Sequence, residues 1–313
     1  MSPIQFMSSS KENVPWTSSS DINWVKSLST NNEDFLSGHQ GEDNKQVSIL
    51  SWNILAQHLF DNTKRWYQHI SPDAPVSWPE RSIKIIDELS QTGADIICLQ
   101  EVEHEAFRYD LLPALKKIGY EGMMQHSRRQ RSGHGYGVAT FWKKGRFTLE
   151  EACHRSRTMI ITLKDHADGL TLGTINCHLE GNPVKSVTRV KQLQKALSEL
   201  STKFTHHDLI LCGDMNCQLG SSASSTYLET GTSLAGGQIM DWGQEVDFSH
   251  VPSHKYTFNS VFPIDLIKKD PTEYITFVSN PYHYTVGLDQ IWVHDTLNAV
   301  NVRSHPSKQV DQV

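Results

Sequence analysis

The sequence predicts an α/β fold, in which short apolar strands alternate with amphipathic helices along the chain. One observation is the apolar run at residues 209–212, which stops at a glycine and has the length of a buried strand. Another is the apolar spacing at residues 183–204, which follows the period of a helix. The third is that polar residues repeatedly follow the strands, where open sheets place reactive groups.

The length and charge of the chain favour one domain with a tail. A chain of 313 residues accommodates a single domain of about 250 residues. Residues 1–44 are rich in Ser, Asn, Asp and Glu, so we predict a disordered tail there and one domain at residues 45–313. A net charge of −6 argues against bulk coating of nucleic acid, although a local basic groove stays compatible with it.

Cysteine usage indicates a reducing compartment. The five cysteines are odd in number and none has Cys-x-x-Cys spacing, so neither a disulfide framework nor a zinc site is expected. The tail has neither the apolar core of a signal peptide nor the Arg-rich character of a transit peptide. No apolar stretch approaches the ~18 residues of a membrane span. We therefore expect a cytoplasmic protein without a membrane contact, with the nucleus as the alternative location.

The first predicted strand covers residues 46–52 and is followed by Asn53. An asparagine there can cap a turn, or its amide can contact a metal or a phosphate. Pro79 is typical of the first turn of a helix, which we place at residues 79–90.

The second predicted strand, residues 94–100, ends at Glu101. A carboxylate after an apolar strand is costly to bury unless it is paired or binds a metal. The competing interpretation is a glutamate on the rim of the sheet. A helix is predicted at residues 104–117.

A basic, glycine-rich segment occupies residues 126–137. Its three arginines, Arg128, Arg129 and Arg131, indicate phosphate contact, and a solvated loop explains them equally well. A strand follows at residues 138–142. Trp142 stands at the end of this strand and is a further candidate for substrate contact.

Two strands, residues 158–163 and 170–177, precede a candidate catalytic histidine. His178 follows the second strand directly, in the same position as Asn53 and Glu101 after theirs. A lone histidine is more often structural, so its position carries the argument. The long helix at residues 183–204 comes next.

The strand at residues 209–212 carries the most informative stretch. Gly213 lets the backbone turn, and Asp214 and Asn216 follow. One carboxylate and one amide suit a hydrated Mg²⁺ and a phosphate oxygen. An Asx-rich turn is the competing interpretation.

The last predicted elements are shorter. A helix begins after Ser221 or Ser222 and continues through Glu229. Strands are predicted at residues 256–258, 288–293 and 297–302, and Asp289 stands near the start of the second of these.

The polar residues at strand ends together predict a chemistry. They supply carboxylates and amides for Mg²⁺ and an imidazole for a charged transition state, without a Ser or Cys nucleophile beside a base. This set suits metal-assisted attack of water on a phosphate ester. The set consists of Asn53, Glu101, His178, Asp214, Asn216 and Asp289.

Five short motifs then carry a family resemblance. They are Ser-Trp-Asn-Ile-Leu at 51–55, Leu-Gln-Glu-Val-Glu at 99–103, Cys-His-Leu-Glu-Gly at 177–181, Gly-Asp-Met-Asn at 213–216 and Leu-Asp-Gln-Ile-Trp at 288–292. In this order they resemble the motifs of the endonuclease/exonuclease/phosphatase superfamily. Residues 100–120 resemble its CCR4-type deadenylase branch, and residues 51–78 are similar to the related Angel proteins. The resemblance covers about residues 47–302 and extends to nocturnin-like relatives.

The resemblance implies a DNase I-like, four-layer α/β sandwich with two mixed sheets face to face and helices outside. By motif match, Glu101 holds Mg²⁺, for which Mn²⁺ can substitute, and Asn53 lies beside it. Asp214 orients or deprotonates water, and Asn216 holds water or phosphate. His178 stabilises the transition state, whereas Asp289 orients a second histidine near the C-terminus.

The sequence departs from the family pattern after Asp289. The family's Ser-Asp-His motif does not occur there, and Ser304-His305-Pro306 is a poor substitute because Pro306 cannot donate to a central strand. We therefore expect a C-terminally truncated or diverged domain with impaired activity.

Three functions follow from the resemblance. The first is a Mg²⁺-dependent 3′ exoribonuclease acting on poly(A). The second is a phosphatase acting on a dinucleotide phosphate or on an RNA 2′,3′-cyclic phosphate. The third is a non-catalytic RNA-binding adaptor. RNA is the expected partner, and the N-terminal tail is a candidate segment for contact with a protein.

Overall fold

The computed structural model describes most of the predicted domain and one segment of the predicted tail. The described residues are 23–30, 46–67, 74–126, 135–203, 208–231, 239–241, 244–261, 277–279, 284–286, 288–294 and 297–302. Ser304, His305 and Pro306 lie outside these ranges.

The described elements are named in chain order. The strands are β1 (Asn23–Thr30), β2 (Val47–Asn53), β3 (Ile96–Glu103), β4 (Tyr120–Met124), β5 (Tyr136–Lys143), β6 (Phe147–His154), β7 (Thr158–Asp165), β8 (Thr171–His178), β9 (Asp208–Asp214), β10 (Ile239–Asp241), β11 (Gln244–Val246), β12 (Phe258–Ser260), β13 (Phe277–Ser279), β14 (Tyr284–Val286), β15 (Asp289–His294) and β16 (Leu297–Val302). The helices are α1 (Gln57–Thr63), α2 (Trp78–Thr92), α3 (Leu112–Lys117), α4 (Ser186–Lys203) and α5 (Ala223–Thr230). Short 3₁₀ turns at Lys64–Tyr67 and Pro183–Lys185 and a π-helix at Ala106–Leu111 complete them.

Two six-stranded sheets form the body of the domain. The first sheet has the order β16-β1-β2-β3-β5-β4, and the second has the order β12-β15-β9-β8-β7-β6. The β2–β3 and β8–β9 pairs are parallel, whereas the other pairs in these sheets are antiparallel. Each sheet is therefore mixed, with its one parallel pair at the centre.

Alternation along the strands gives the layers. On β2, Ile49 packs in the cluster that contains the second sheet, whereas Leu50 packs in the cluster around α2 and α3. Successive side chains of a strand point to opposite faces, so the first sheet lies between the second sheet and these helices. Apolar residues of α4, among them Leu193 and Leu197, pack in the same cluster as the second sheet. The predicted α/β sandwich of two mixed sheets with helices is thus confirmed.

Two buried polar networks join the sheets. Near the carboxyl end of β3, Gln100 Nε2 donates to Asn176 Oδ1 at 2.8 Å, and both side chains are fully buried. Near the opposite edge, the Arg146 guanidinium contacts Asp95 Oδ2 at 3.0 Å and Asp165 Oδ2 at 2.8 Å. Polar groups removed from water need such partners, so these networks fix the relative position of the sheets.

Local signals explain the helix boundaries. Ser77 and Glu80 form a capping box before α2, Pro79 lies in its first turn, and Gly93 ends it with a φ of 59°. The predicted helix at 104–117 is instead a π-helix followed by α3. Pro113 has no N–H and lies at the start of α3, where the wider π turn passes into the α-helix.

Several strands were not predicted. β1 lies inside the predicted tail and pairs with β2 and β16, so at least this part of residues 1–44 belongs to the first sheet. β6 is an edge strand whose register shifts between Leu149 and Glu151, and this bulge breaks the alternation that marks a strand. Among the described residues, no helix is long and apolar enough to cross a lipid bilayer.

Candidate metal centre

The strand-end residues meet where the two sheets meet. In the parallel β8–β9 pair, His178 and Asp214 are register partners at the carboxyl ends of their strands. In the parallel β2–β3 pair, Asn53 is the register partner of Gln100, next to Glu101. Because the parallel pairs of both sheets end at one edge, four separate chain segments reach the same place.

Glu101 occupies a strained position in β3. Its φ is 56°, and the register of β3 with β5 shifts between Leu99 and Val102. A bulge of this kind re-aims a side chain, and a left-handed conformation is unfavourable for glutamate. The backbone N–H of Ala56 donates to Glu101 Oε2 at 3.0 Å. The surrounding structure therefore holds the carboxylate in a costly but defined orientation.

Asn53 bridges the two carboxylates. Its Nδ2 donates to Glu101 Oε1 at 3.0 Å and to Asp214 Oδ2 at 2.9 Å. Its Oδ1 accepts the N–H of Leu55 at 3.0 Å, which fixes which end of the amide faces the carboxylates. Asn53, the candidate metal neighbour, thus presents donors to this centre and orients the carboxylates.

The Gly213–Asn216 turn places Asp214. Gly213 has a φ of 135°, and a Cβ at this position would lie 1.9 Å from the backbone oxygen of Cys177, so only glycine fits. Asn216 has a φ of 49°, and its N–H donates to Asp214 Oδ1 at 2.8 Å. Asn216 Nδ2 donates to the carbonyl of Leu179 at 3.0 Å, which ties the turn to the segment that follows His178.

Glu101, His178 and Asp214 converge on one point. His178 Nε2 lies 3.8 Å from Glu101 Oε1 and 3.8 Å from Asp214 Oδ2. One ligand atom from each of the three residues lies within 4.8 Å of the others, and all three residues are buried. Carboxylate oxygens and an imidazole nitrogen at this spacing can hold a divalent cation.

The charges at this point also fit a cation. Within the described part of the chain, neither Glu101 nor Asp214 forms an ion pair with a lysine or arginine, and Asn53 is the side chain that donates hydrogen bonds to both. Two buried carboxylates that share one amide repel each other unless a positive charge lies between them. Asp289 adds a further acid, because it is the register partner of Asp214 in the β9–β15 ladder.

Of the predicted substrate contacts, only Trp142 lies within the described residues, and it is not brought to this centre. Arg128, Arg129 and Arg131 lie outside the described residues. Trp142 is 3% exposed and is the register partner of Ile96, at the start of β3 rather than at its end. β5 is antiparallel to β3, so its carboxyl end lies at the far edge of the sheet, and Trp142 is a core residue.

The antiparallel direction of β5 also brings residues to the site that the sequence pattern does not single out. The start of β5, not its end, lies at the site edge, and it places the Tyr136 ring 6.1 Å from the His178 ring. Burial raises the pKa of the Tyr136 hydroxyl, and the Glu101 carboxylate raises it further against the opposing charge of Arg157. The ring of His58 also lies near Tyr136, and Glu103 contacts His58. The direction of β5, once it is known, is the signal that identifies Tyr136 and its neighbours as residues of the site.

Comparison with known proteins gives one family. A model of the Endonuclease/Exonuclease/phosphatase family matches residues 50–311. Among curated proteins, Protein angel homolog 2 of Danio rerio is 31% identical over 54% of this chain and 33% of its own length. The CCR4-Not complex 3′-5′-exoribonuclease subunit Ccr4 of Saccharomyces cerevisiae is 23% identical over 83% of this chain and 35% of its own length. The chain therefore spans about a third of the length of the curated relatives it matches.

A solved structure has the same fold. ANGEL2, described as a 2′,3′-cyclic phosphatase in complex with adenosine-2′,3′-vanadate, matches with a TM-score of 0.66 and 18% identity over 84% of this chain and 88% of that one. The predicted resemblance to the branch of Angel, CCR4-type and nocturnin proteins is confirmed.

Proposed function

Because this chain belongs to the endonuclease/exonuclease/phosphatase family, we propose that it is a Mg²⁺-dependent 3′ exoribonuclease that acts on poly(A). The observation that carries the proposal is the convergence of Glu101, His178 and Asp214, with one ligand atom from each within 4.8 Å of the others. Phosphate-ester hydrolysis needs a cation, a positioned water and a group that stabilises the phosphorane, and these side chains supply suitable ligands and donors.

Each residue has a role in this proposal. Glu101 would hold Mg²⁺ or, in its place, Mn²⁺, which would supply positive charge for the phosphate oxygens. His178 would stabilise the charged transition state. Asp214 would accept a proton from the water that attacks phosphorus. The P–O bond to the leaving oxygen would break, and that oxygen would take up a proton from solvent. Asn53 holds the two carboxylates in a fixed relative orientation through its amide hydrogen bonds. Asn216 fixes the turn that carries Asp214.

The same centre also suits an RNA 2′,3′-cyclic phosphate, which makes a second candidate. The support is that the Angel relative is 31% identical, compared with 23% for the Ccr4 relative, and that ANGEL2, whose solved structure matches this fold, is a 2′,3′-cyclic phosphatase. Both reactions use water to open one phosphate ester, so they require the same centre and differ in the substrate end that reaches it. A dinucleotide phosphate is the third substrate to include.

One experiment separates these functions. A 5′-labelled oligoadenylate is prepared with a 3′-hydroxyl end and, separately, with a 2′,3′-cyclic phosphate end, and each is incubated with Mg²⁺ or with EDTA. Exoribonuclease activity shortens the first RNA one nucleotide at a time. Cyclic phosphatase activity opens the end of the second RNA without shortening it. A dinucleotide phosphate is assayed in parallel by phosphate release.

The variants Glu101→Ala and Asp214→Ala test the centre. Loss of either carboxylate is expected to lower turnover by at least about a hundredfold, because each is required for the proposed cation or water contacts. Glu105→Ala is the matched control, since Glu105 is an exposed glutamate of the following helical segment. RNA binding without turnover of any substrate would instead support the non-catalytic adaptor, and equal activity in the variants would contradict the proposed centre.

A further inference from the structure

A second group of side chains lies beside the candidate metal centre and has no part in the proposed hydrolysis. His58 of α1 contacts Glu103 at the end of β3, with 2.6 Å between His58 Nδ1 and Glu103 Oε1. The His58 ring lies 5.2 Å from the ring of Tyr136, at an angle of 44°. We name these two rings, His58 and Tyr136, the aromatic step.

The aromatic step is held from both sides. Besides its ring contact, His58 donates its backbone N–H to Glu103 Oε1 at 3.0 Å. On the other side, the Arg157 side chain interacts with the Tyr136 hydroxyl and lowers its pKa, and Arg157 Nη2 lies 3.6 Å from Glu180 Oε2. Rings that are already fixed lose little conformational entropy when a ligand packs on them.

The aromatic step is not part of the core. Neither ring belongs to the two apolar clusters that fill the sandwich, and both residues are half-buried. The His58 side chain is 23% exposed. Because the planes are tilted by 44°, neither ring covers the other, and part of each stays accessible. Partly exposed, anchored aromatic rings at the edge of a catalytic centre are suited to stack on a flat ligand.

The position of the aromatic step indicates the chemical class of the flat ligand that would stack on it. The Tyr136 ring lies 6.1 Å from the ring of His178, so a ligand packed on the step is a direct neighbour of the phosphate at the centre. In a nucleic acid, the flat group next to a phosphate is a nucleobase. Every base has a π-face, so stacking of this kind tolerates different sequences.

We infer that His58 and Tyr136 form a nucleobase-binding subsite, on which a base adjoining the hydrolysed phosphate stacks. The inference rests on the proposed function, because it needs a nucleotide phosphate at the centre. It assigns the substrate to nucleotides and nucleic acids rather than to phosphate esters without a base. Glu103 and Arg157 are positioning residues in this arrangement, because each acts through a ring that it holds.

The test compares two RNAs in the absence of hydrolysis. A fluorescent oligoadenylate and the same RNA with abasic ribose at its two 3′-terminal positions are bound in EDTA at low ionic strength, and anisotropy gives their affinities. Tyr136→Leu is expected to weaken binding of the complete RNA by about tenfold to a hundredfold and to leave binding of the abasic RNA unchanged. Tyr136→Phe, which keeps the ring, is expected to keep the difference between the two RNAs.

Two further variants keep the result interpretable. His58→Ala is expected to show the same base-dependent loss and serves if Tyr136→Leu does not fold. Tyr109→Leu is the matched control, because Tyr109 is 65% exposed on the π-helix. Equal losses for both RNAs, or no loss for either, overturn the inference. Because no turnover is involved, a base-dependent affinity without any Mg²⁺-dependent hydrolysis would reject the proposed function and leave the subsite standing.

Discussion

The side-chain amide of Asn53 donates to Glu101 Oε1 at 3.0 Å. The same nitrogen reaches Asp214, so truncation of Asn53 removes the donor that both carboxylates share. We expect Asn53→Ala to lower Mg²⁺-dependent turnover about 10-fold to 100-fold, as is usual for residues that orient metal ligands. Steady-state kinetics over a Mg²⁺ titration measures it. Asn62→Ala, at an exposed position of α1, is the control. Unchanged kinetics in Asn53→Ala would show that the amide has no such role.

The left-handed backbone at Glu101 predicts that glycine at this position gives a more stable protein than alanine does, the reverse of the usual order in a strand. Glu101→Gly and Glu101→Ala both remove the carboxylate, but only glycine adopts a φ of 56° without strain. We expect Glu101→Gly to be more stable than Glu101→Ala by about 1 kcal/mol in urea unfolding. At Lys164, the exposed position next to the end of β7, alanine should be the more stable of the two by a similar amount. If alanine were more stable than glycine at both positions, the proposed backbone strain at Glu101 would be contradicted.

Close packing at Gly213 predicts a severe effect of one methyl group. A Cβ there would lie 1.9 Å from the Cys177 carbonyl oxygen, which belongs to the neighbouring strand and cannot rotate away. Gly213→Ala is expected to destabilise the protein by more than about 3 kcal/mol or to prevent folding. Gly145→Ala is the matched control, because no atom lies within 4 Å of its Cβ position. Thermal melting of both variants measures the difference, and wild-type melting of Gly213→Ala would refute it.

The Asp95 network predicts an acid-sensitive contribution to stability. Burial raises the pKa of Asp95, but hydrogen bonds from Ser48 and Lys143 and the charge of Arg146 outweigh it and lower the pKa on balance. A folded-state pKa below the unfolded one stabilises the protein above the unfolded value of about 3.9. This contribution is lost as the pH falls through the folded-state pKa.

Urea unfolding of Asp95→Asn at several pH values tests this contribution. We expect a loss of about 2 kcal/mol near neutral pH, because the amide leaves Lys143 and Arg146 without one carboxylate, and a smaller difference in acid. Asp87→Asn, on the exposed side of α2, is the control. If the difference in the free energy of unfolding between Asp95→Asn and wild type stayed constant down to strongly acidic pH, the proposed link between Asp95 protonation and stability would be contradicted.

The sequence predicted the alternation of strands and helices and the polar strand ends because both depend on local patterns, whereas the layered sandwich was implied by the family resemblance. Apolar runs and strand-end position singled out Glu101, His178 and Asp214, and the structure brings these three together. The same rule placed Trp142 at the wrong edge, since strand direction depends on pairing with distant segments. β1 was missed for a related reason, because its partners, β2 and β16, determine it more than its own residues do. The orientation of the Asn53 amide is set by the Leu55 N–H, which no sequence pattern encodes.

The shared amide also has a consequence for the time at which activity arises. Asn53 belongs to the first sheet and Asp214 to the second, so the hydrogen bond of 2.9 Å between them forms only when the sheets have docked. A chain with one sheet formed holds half of the centre and cannot bind a cation with full affinity. The proposed hydrolysis is therefore expected only after the sheets have docked, and turnover during refolding would report this late docking step.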